Sequence, residues 1–187
     1  MSAKEIASIL HGFLLIIKFD EKFKDHFENS HEAFWKSFYA AIVVAPLQVI
    51  YEWGLYISLD EKPNLTRAIP IEVLEYTILW VLFPLVMTYI TKVINREEQY
   101  FRYIVTYNWL QMCISIIIMP LIILSVFNFL PISASTFLET MVFLLFVTYN
   151  IFIAKIVLKL QTGPSFSIVL IDILLTLLVT QIILSIL

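Results

Sequence analysis

Five apolar runs, each approaching or exceeding the ~20 residues that a helix needs to cross a bilayer, leave this chain few folds to choose from. They cover about Trp35 to Ile57, Val73 to Ile94, Tyr103 to Phe127, Phe137 to Leu158 and Ser167 to Leu187. In hydrocarbon every backbone N–H and C=O must be bonded internally, so these runs are expected as helices. The alternating ten-residue segments of a membrane barrel do not occur. The predicted fold class is all-α: a polytopic five-helix membrane bundle over residues 35–187, preceded by an amphipathic segment over residues 1–34. Composition agrees. The chain is 60% hydrophobic and 14% charged, against roughly 45–50% and about 25% for soluble domains. No stretch is polar and long enough for a soluble catalytic domain.

Lys and Arg set the predicted orientation. Lys4, Lys18, Lys22, Lys24, Lys36, Lys92, Arg96, Arg102, Lys155 and Lys159 fall on one side, and Lys62 and Arg67 on the other. The positive-inside rule places the richer side, with the N-terminus, in the cytoplasm and the C-terminus outside. An odd number of spans requires the same. Lys4 followed by Ile6–Ile17 imitates a signal peptide. No small-residue cleavage site follows, and Lys18–His26 is highly charged, so the segment is read as mature sequence. With no organelle-targeting segment visible, the expected location is a bacterial inner membrane.

Within the N-terminal segment, Ile6, Leu10, Phe13, Leu14 and Ile17 share one helical face, opposite Lys4, Ser8 and His11. This predicts either a helix lying on the membrane surface through Ile6, Leu10, Phe13 and Ile17, or one packed on the ends of the spans; the two are compatible. Phe19, Phe23 and Phe27 recur at every fourth residue, and Asn29 with Glu32 reads as a capping box opening the first span. Pro46, Pro84 and Pro120 fall inside spans and predict kinks. The connection from Ser58 to Ile71 is the longest between spans, with Pro70 placed to open the second span. Asn64-Leu-Thr66 matches a glycosylation acceptor on the predicted outer side.

The candidate site is a polar layer. Lys155 and Asp172 flank Gly163-Pro164 at nearly equal spacing, so a hairpin turning there would pair them at one depth. A charge in a span costs about 2.5–3.5 kcal/mol and normally has a partner or a task. Thr-Tyr-Asn occurs twice, at 106–108 and 148–150, in spans of opposite direction. With Gln111 nearby, Asn108, Gln111, Asn150, Lys155 and Asp172 are expected in the cytoplasmic half. The structural reading is glue between spans three to five. The functional readings are a polar cavity for an ion, lipid head group or small solute, and a proton relay, which usually needs more than one buried carboxylate. Gln48, Glu52, Glu72 and Glu75 gather at the outer ends, beside the interfacial aromatics Trp53 and Tyr56.

No HExxH, CxxC or GxSxG motif occurs, and His26 and His31 are spaced wrongly for one helical face, so no metal, cofactor or catalytic residue is expected. The single cysteine, Cys113, lies in an apolar run and is read as a packing residue. The basic residues are too dispersed for a nucleic-acid surface but suit anionic lipid.

The arrangement resembles the Yip superfamily of five-span membrane proteins: a cytoplasmic N-terminal segment, five closely spaced spans and almost no tail. The likeness is strongest from Tyr103-Ile-Val-Thr-Tyr-Asn-Trp109 through Tyr149–Lys155 to Asp172, and Phe34-Trp-Lys-Ser-Phe38 before the first span matches the prokaryotic type. The Asp-Leu-x-Gly-Pro signature and the third-span glycine motif of the eukaryotic members, which bind small GTPases, are missing here. The resemblance therefore implies an architecture and no site residue. The expected function is a non-enzymatic scaffold or accessory subunit, acting by lateral association with other membrane subunits or copies of itself. The alternative is a small oligomeric transporter or channel using the polar layer.

Overall fold

A computed structural model describes residues 1–186; Leu187, the end of the fifth apolar run, lies outside the described residues. The chain forms α1 (Ala3–Ile17), a 3₁₀ helix (Glu21–His26), α2 (His31–Ser37), α3 (Tyr39–Ser58) and α4 (Leu65–Val93). A second 3₁₀ turn (Glu97–Gln99) leads to α5 (Tyr100–Val126), α6 (Ile132–Val157) and α7 (Thr162–Ile186). Five helical stretches are long and apolar enough to cross a membrane: His31–Ser58, Leu65–Val93, Glu97–Val126, Ile132–Val157 and Thr162–Ile186. The shortest has 25 residues, about 37 Å at 1.5 Å per residue, which exceeds a ~30 Å hydrocarbon core. At most 28% of any span's most apolar stretch is buried, so the apolar side chains point mainly outward.

α5 is the hub. It packs against α2, α3, α4 and α6, while α7 packs on α6 and α4. α3 leans chiefly on α5 and is further tied to α4 by the Tyr76 hydroxyl, which donates to the Ala41 carbonyl at 2.6 Å. Tyr103, Ile104, Leu110, Met87, Ile153 and Leu158 are fully enclosed at the centre.

The helices run longer and the loops shorter than the apolar runs suggest. α1, α4, α5 and α6 each stop at a residue with left-handed backbone: Phe19, Asn95, Asn128 and Lys159, with φ of 54°, 55°, 59° and 53°. In each case the next N–H reaches back five residues, as Leu160 does to the Lys155 carbonyl at 3.0 Å. This is the Schellman arrangement. It turns the chain at once and lets the next helix begin within a few residues. α4 starts at Leu65, with Asn64 accepting from the Thr66 N–H at 3.0 Å as its cap. Pro70 therefore lies inside α4 rather than opening it, and Asn64 has a structural role. The first span is interrupted at Phe38.

The N-terminal segment folds onto the bundle. Ile9, Phe13 and Ile16 are buried against it, whereas Ile6, Leu10, Leu14 and Ile17 are exposed. The apolar sector of α1 is thus wide enough for two contacts, and Phe13 belongs to the packed one rather than to the outer face. Phe23, on the 3₁₀ helix, and Phe27, the extended residue that ends it, are both buried. Phe19 stacks on Tyr149 and meets the edge of Phe152, at centroid distances of 5.4 and 5.1 Å. The expected Asn29–Glu32 box is not formed. Ser30 caps α2 by accepting from the Ala33 N–H at 3.1 Å. Asn29 instead donates to the Glu98 carbonyl at 2.7 Å and accepts from the Arg102 N–H at 3.0 Å, pinning the start of α5. Lys36 joins α1 to α2 through Glu5 at 2.8 Å; its hydrogen bond holds the Glu5 carboxyl down at about 2.

Candidate functional site

The interior polar layer begins with helix register. Counted along each helix from the end that carries α1, Asn150 lies about 10 Å in, Asn108 about 12 Å, Asp172 about 15 Å and Gln111 about 16 Å. Asn108, Gln111, Asn150 and Asp172 therefore fall at similar depths along their helices, and Lys155 does not. α6 ends at Val157 and α7 starts at Thr162, so the hairpin turns at 158–161. Gly163 and Pro164 occupy the first turn of α7, where a proline's missing N–H costs nothing. Lys155 is then only about 3 Å from the end of its helix, some 12 Å short of Asp172.

The expected Lys155–Asp172 pair is accordingly corrected. Lys155 is exposed. Asp172 is 4% exposed and accepts a hydrogen bond from the Tyr107 hydroxyl at 2.9 Å. The partner comes from α5 because a tyrosine carries its hydroxyl far from its backbone and places its ring in the apolar interior, against Phe83 at 4.7 Å. A lysine at the helix end gains more by staying in water.

The amides of the layer serve different neighbours. Asn108 is fully buried and donates to the Ser37 hydroxyl at 2.8 Å, tying α5 to α2. Asn150 donates within its own helix to the Phe146 carbonyl at 2.8 Å. Four buried polar atoms in or near the layer have no partner among the described residues: Asn108 Oδ1, Asn150 Oδ1, Gln111 Nε2 and the Tyr103 hydroxyl. Buried polar groups are nearly always bonded, so this layer has spare hydrogen-bonding capacity. At the far end of the bundle, Gln48 donates to Glu52 at 2.5 Å within α3. There the Thr180 hydroxyl donates to Glu75 at 2.8 Å, joining α7 to α4.

Sequence reasoning missed Tyr107, Ser37 and Tyr103. Tyr107 stands inside the repeated tripeptide, and its position one residue before Asn108 was the available signal. Ser37 carries no signal, since a serine before an apolar run is commonplace.

Chemically, the arrangement offers ties between helices and a set of unspent hydrogen-bonding groups. Outside this layer, the Ser8 hydroxyl lies 3.3 Å from His26 Nδ1 and donates to the His26 carbonyl at 3.2 Å. No protein family, curated protein or solved structure matches this chain.

Proposed function

We propose that this chain is a non-enzymatic integral membrane protein of Yip-like architecture that acts by lateral association, as a scaffold or an accessory subunit. The observation that carries the reading is the division of labour between its surfaces. Two inward polar pairs tie neighbouring helices, Tyr107–Asp172 and Asn108–Ser37. The outward face of α3 is broad and apolar, with Ile42 and Val49 66% and 67% exposed and Trp53 beside them. A helix held mainly by one neighbour has most of its circumference free for a partner helix, and membrane helices associate through such packing.

The orientation in this reading follows the cation count: N-terminus cytoplasmic, C-terminus outside, in a bacterial inner membrane. α1 then lies at the cytoplasmic leaflet. Its exposed Ile6, Leu10, Leu14 and Ile17 would enter the boundary between head groups and acyl chains. The stacking of Phe19 on Tyr149, two turns from the end of α6, supports that depth. Cysteines at Lys24, Glu97 and Thr162 are expected to resist an impermeant reagent in intact cells, and one at Asn64 to react. Labelling at Glu97 from outside would reverse the topology.

Photo-crosslinking residues at Ile42 and Val49 test the association itself. Protein adducts are expected there, and only lipid adducts at Leu177, which is 57% exposed on α7. Lipid adducts at all three positions would remove the reading. The unpartnered Gln111, Asn108, Asn150 and Tyr103 atoms favour a second one, a small oligomeric transporter or channel. It requires a homo-oligomer after gentle extraction, and solute flux in vesicles containing only this chain.

A further inference from the structure

At the end of the bundle that carries α1, a cavity of about 480 Å³ opens between the first 3₁₀ helix, the start of α5 and the end of α6. That volume lies in the range of small-molecule sites. Lys24, Arg102, Lys155 and Lys159 line it, with Glu21 and Gln99. Four cations against one carboxylate make the space positive, and Glu21 is exposed to solvent. None of the four cations is in an ion pair among the described residues, where the pairs are those of Lys36 with Glu5 and Glu32.

Local folding holds these like charges together. The left-handed turn at Lys159 and the bond from Leu160 N–H to the Lys155 carbonyl hold Lys159 close to Lys155 in the last turn of α6. Asn29 anchors the Arg102 backbone, while the Arg102 Nε is buried and has no acceptor among the described residues. The nearby Arg96 shows the usual outcome, donating to the Leu158 and Asn95 carbonyls at 2.9 and 3.0 Å. The Arg102 side chain makes no hydrogen bond or ion pair among the described residues, and it lines the cavity with three lysines.

We propose that this cavity binds a phosphate-bearing anion, with Arg102 as the directional donor and Lys24, Lys155 and Lys159 as point charges. A guanidinium matches phosphate oxygens in plane, while ammonium groups contribute charge without fixed geometry. The phosphate can belong to an anionic phospholipid or to a soluble compound; the cavity's place at a bundle end suits either. The site goes beyond the lateral-association reading and stands on local charge and geometry alone.

The test uses the full chain in detergent, with lipid retention followed by native mass spectrometry and inorganic phosphate added as competitor. The wild type is expected to retain phosphatidylglycerol over phosphatidylcholine. Arg102→Gln and the double variant Lys155→Gln/Lys159→Gln should lower retention by about fivefold per cation removed, the equivalent of about 1 kcal/mol each. Lys18→Gln/Lys22→Gln removes two cations outside the cavity and should change nothing. Retention that survives millimolar phosphate assigns the site to a lipid head group. Phosphate binding without a lipid preference, lost in the same variants, assigns it to a soluble phosphate. Because Lys155 and Lys159 are exposed, their variant remains informative even if Arg102→Gln does not fold. Equal binding in wild type and the Lys155/Lys159 variant, or an equal loss in the Lys18/Lys22 control, overturns the site.

Discussion

Tyr107→Phe is expected to destabilise the folded bundle by about 1–3 kcal/mol, the usual cost of leaving a buried polar group without its hydrogen bond. The substitution keeps the ring and its packing on Phe83 and deletes only the hydroxyl that donates to Asp172 at 2.9 Å. Asp172, 4% exposed, would then be a buried acid without that donor. Asp172→Leu should behave differently. It strands the Tyr107 hydroxyl, at a cost of about 1–3 kcal/mol. It also takes a carboxyl group out of the apolar interior, a gain of about 1–3 kcal/mol. These effects nearly offset, so the single variant should stay close to wild type and the double variant should recover what Tyr107→Phe loses. Reversible unfolding in mixed micelles gives the four stabilities of this cycle. Lys155→Met is the control and should leave stability unchanged, since Lys155 is exposed. Were Lys155→Met to destabilise the protein and Asp172→Leu to rescue it, the Tyr107 pairing would be the wrong one. An Asp172→Leu protein that folds normally yet loses its crosslinks at Ile42 and Val49 would make Asp172 a functional residue.

The contrast between Lys155 and Tyr107 shows where the sequence is legible. Long apolar runs have one stable outcome in a bilayer, so all five helical stretches could be read directly. Their ends could not. Gly163-Pro164 looks like a turn, yet proline fits equally well in the first turn of a helix, and α7 begins at Thr162. That shift of a few residues moved Lys155 out of register with Asp172. Lys159 and Phe19 end helices in a left-handed conformation that glycine or asparagine would have signalled and that these residues do not. The similar depths of Asn108, Gln111, Asn150 and Asp172 were legible because helical depth follows from counting residues. Their pairings were not, because they depend on which helices touch. Complementary charge pointed to a lysine on the adjacent helix, and the structure uses a hydroxyl from α5. The same limit hid the cavity: Lys24, Arg102, Lys155 and Lys159 come from three separate segments, and their convergence is a property of the fold.

The close approach of α3 to α5 leads to the second large effect. A Cβ added at Gly54 would lie 2.7 Å from Val126 Cγ1 and 2.9 Å from Phe127 Cε2. Carbon atoms do not approach so closely, so the helices touch there because residue 54 has no side chain. Small residues serve this purpose between membrane helices, where packing rather than water exclusion drives association. Gly54→Leu is expected to cost about 1–3 kcal/mol or more through overpacking. Since α3 leans chiefly on α5, it should also loosen the first span and lower the yield of folded protein. Gly54→Ala should be milder, because alanine recovers up to about 1 kcal/mol of helix propensity. Val126→Ala in the Gly54→Ala background should restore stability by removing the nearer clash. Gly163 provides the comparison: nothing lies within 4 Å of its Cβ position, and Gly163→Ala should be neutral or slightly stabilising. The measurement is again unfolding in mixed micelles, with a cysteine crosslink between α3 and α5 reporting their contact. A Gly54→Leu protein as stable as wild type, with the crosslink intact, would mean that α3 does not press on α5 at this level. The exposed α3 face would then have to be placed anew.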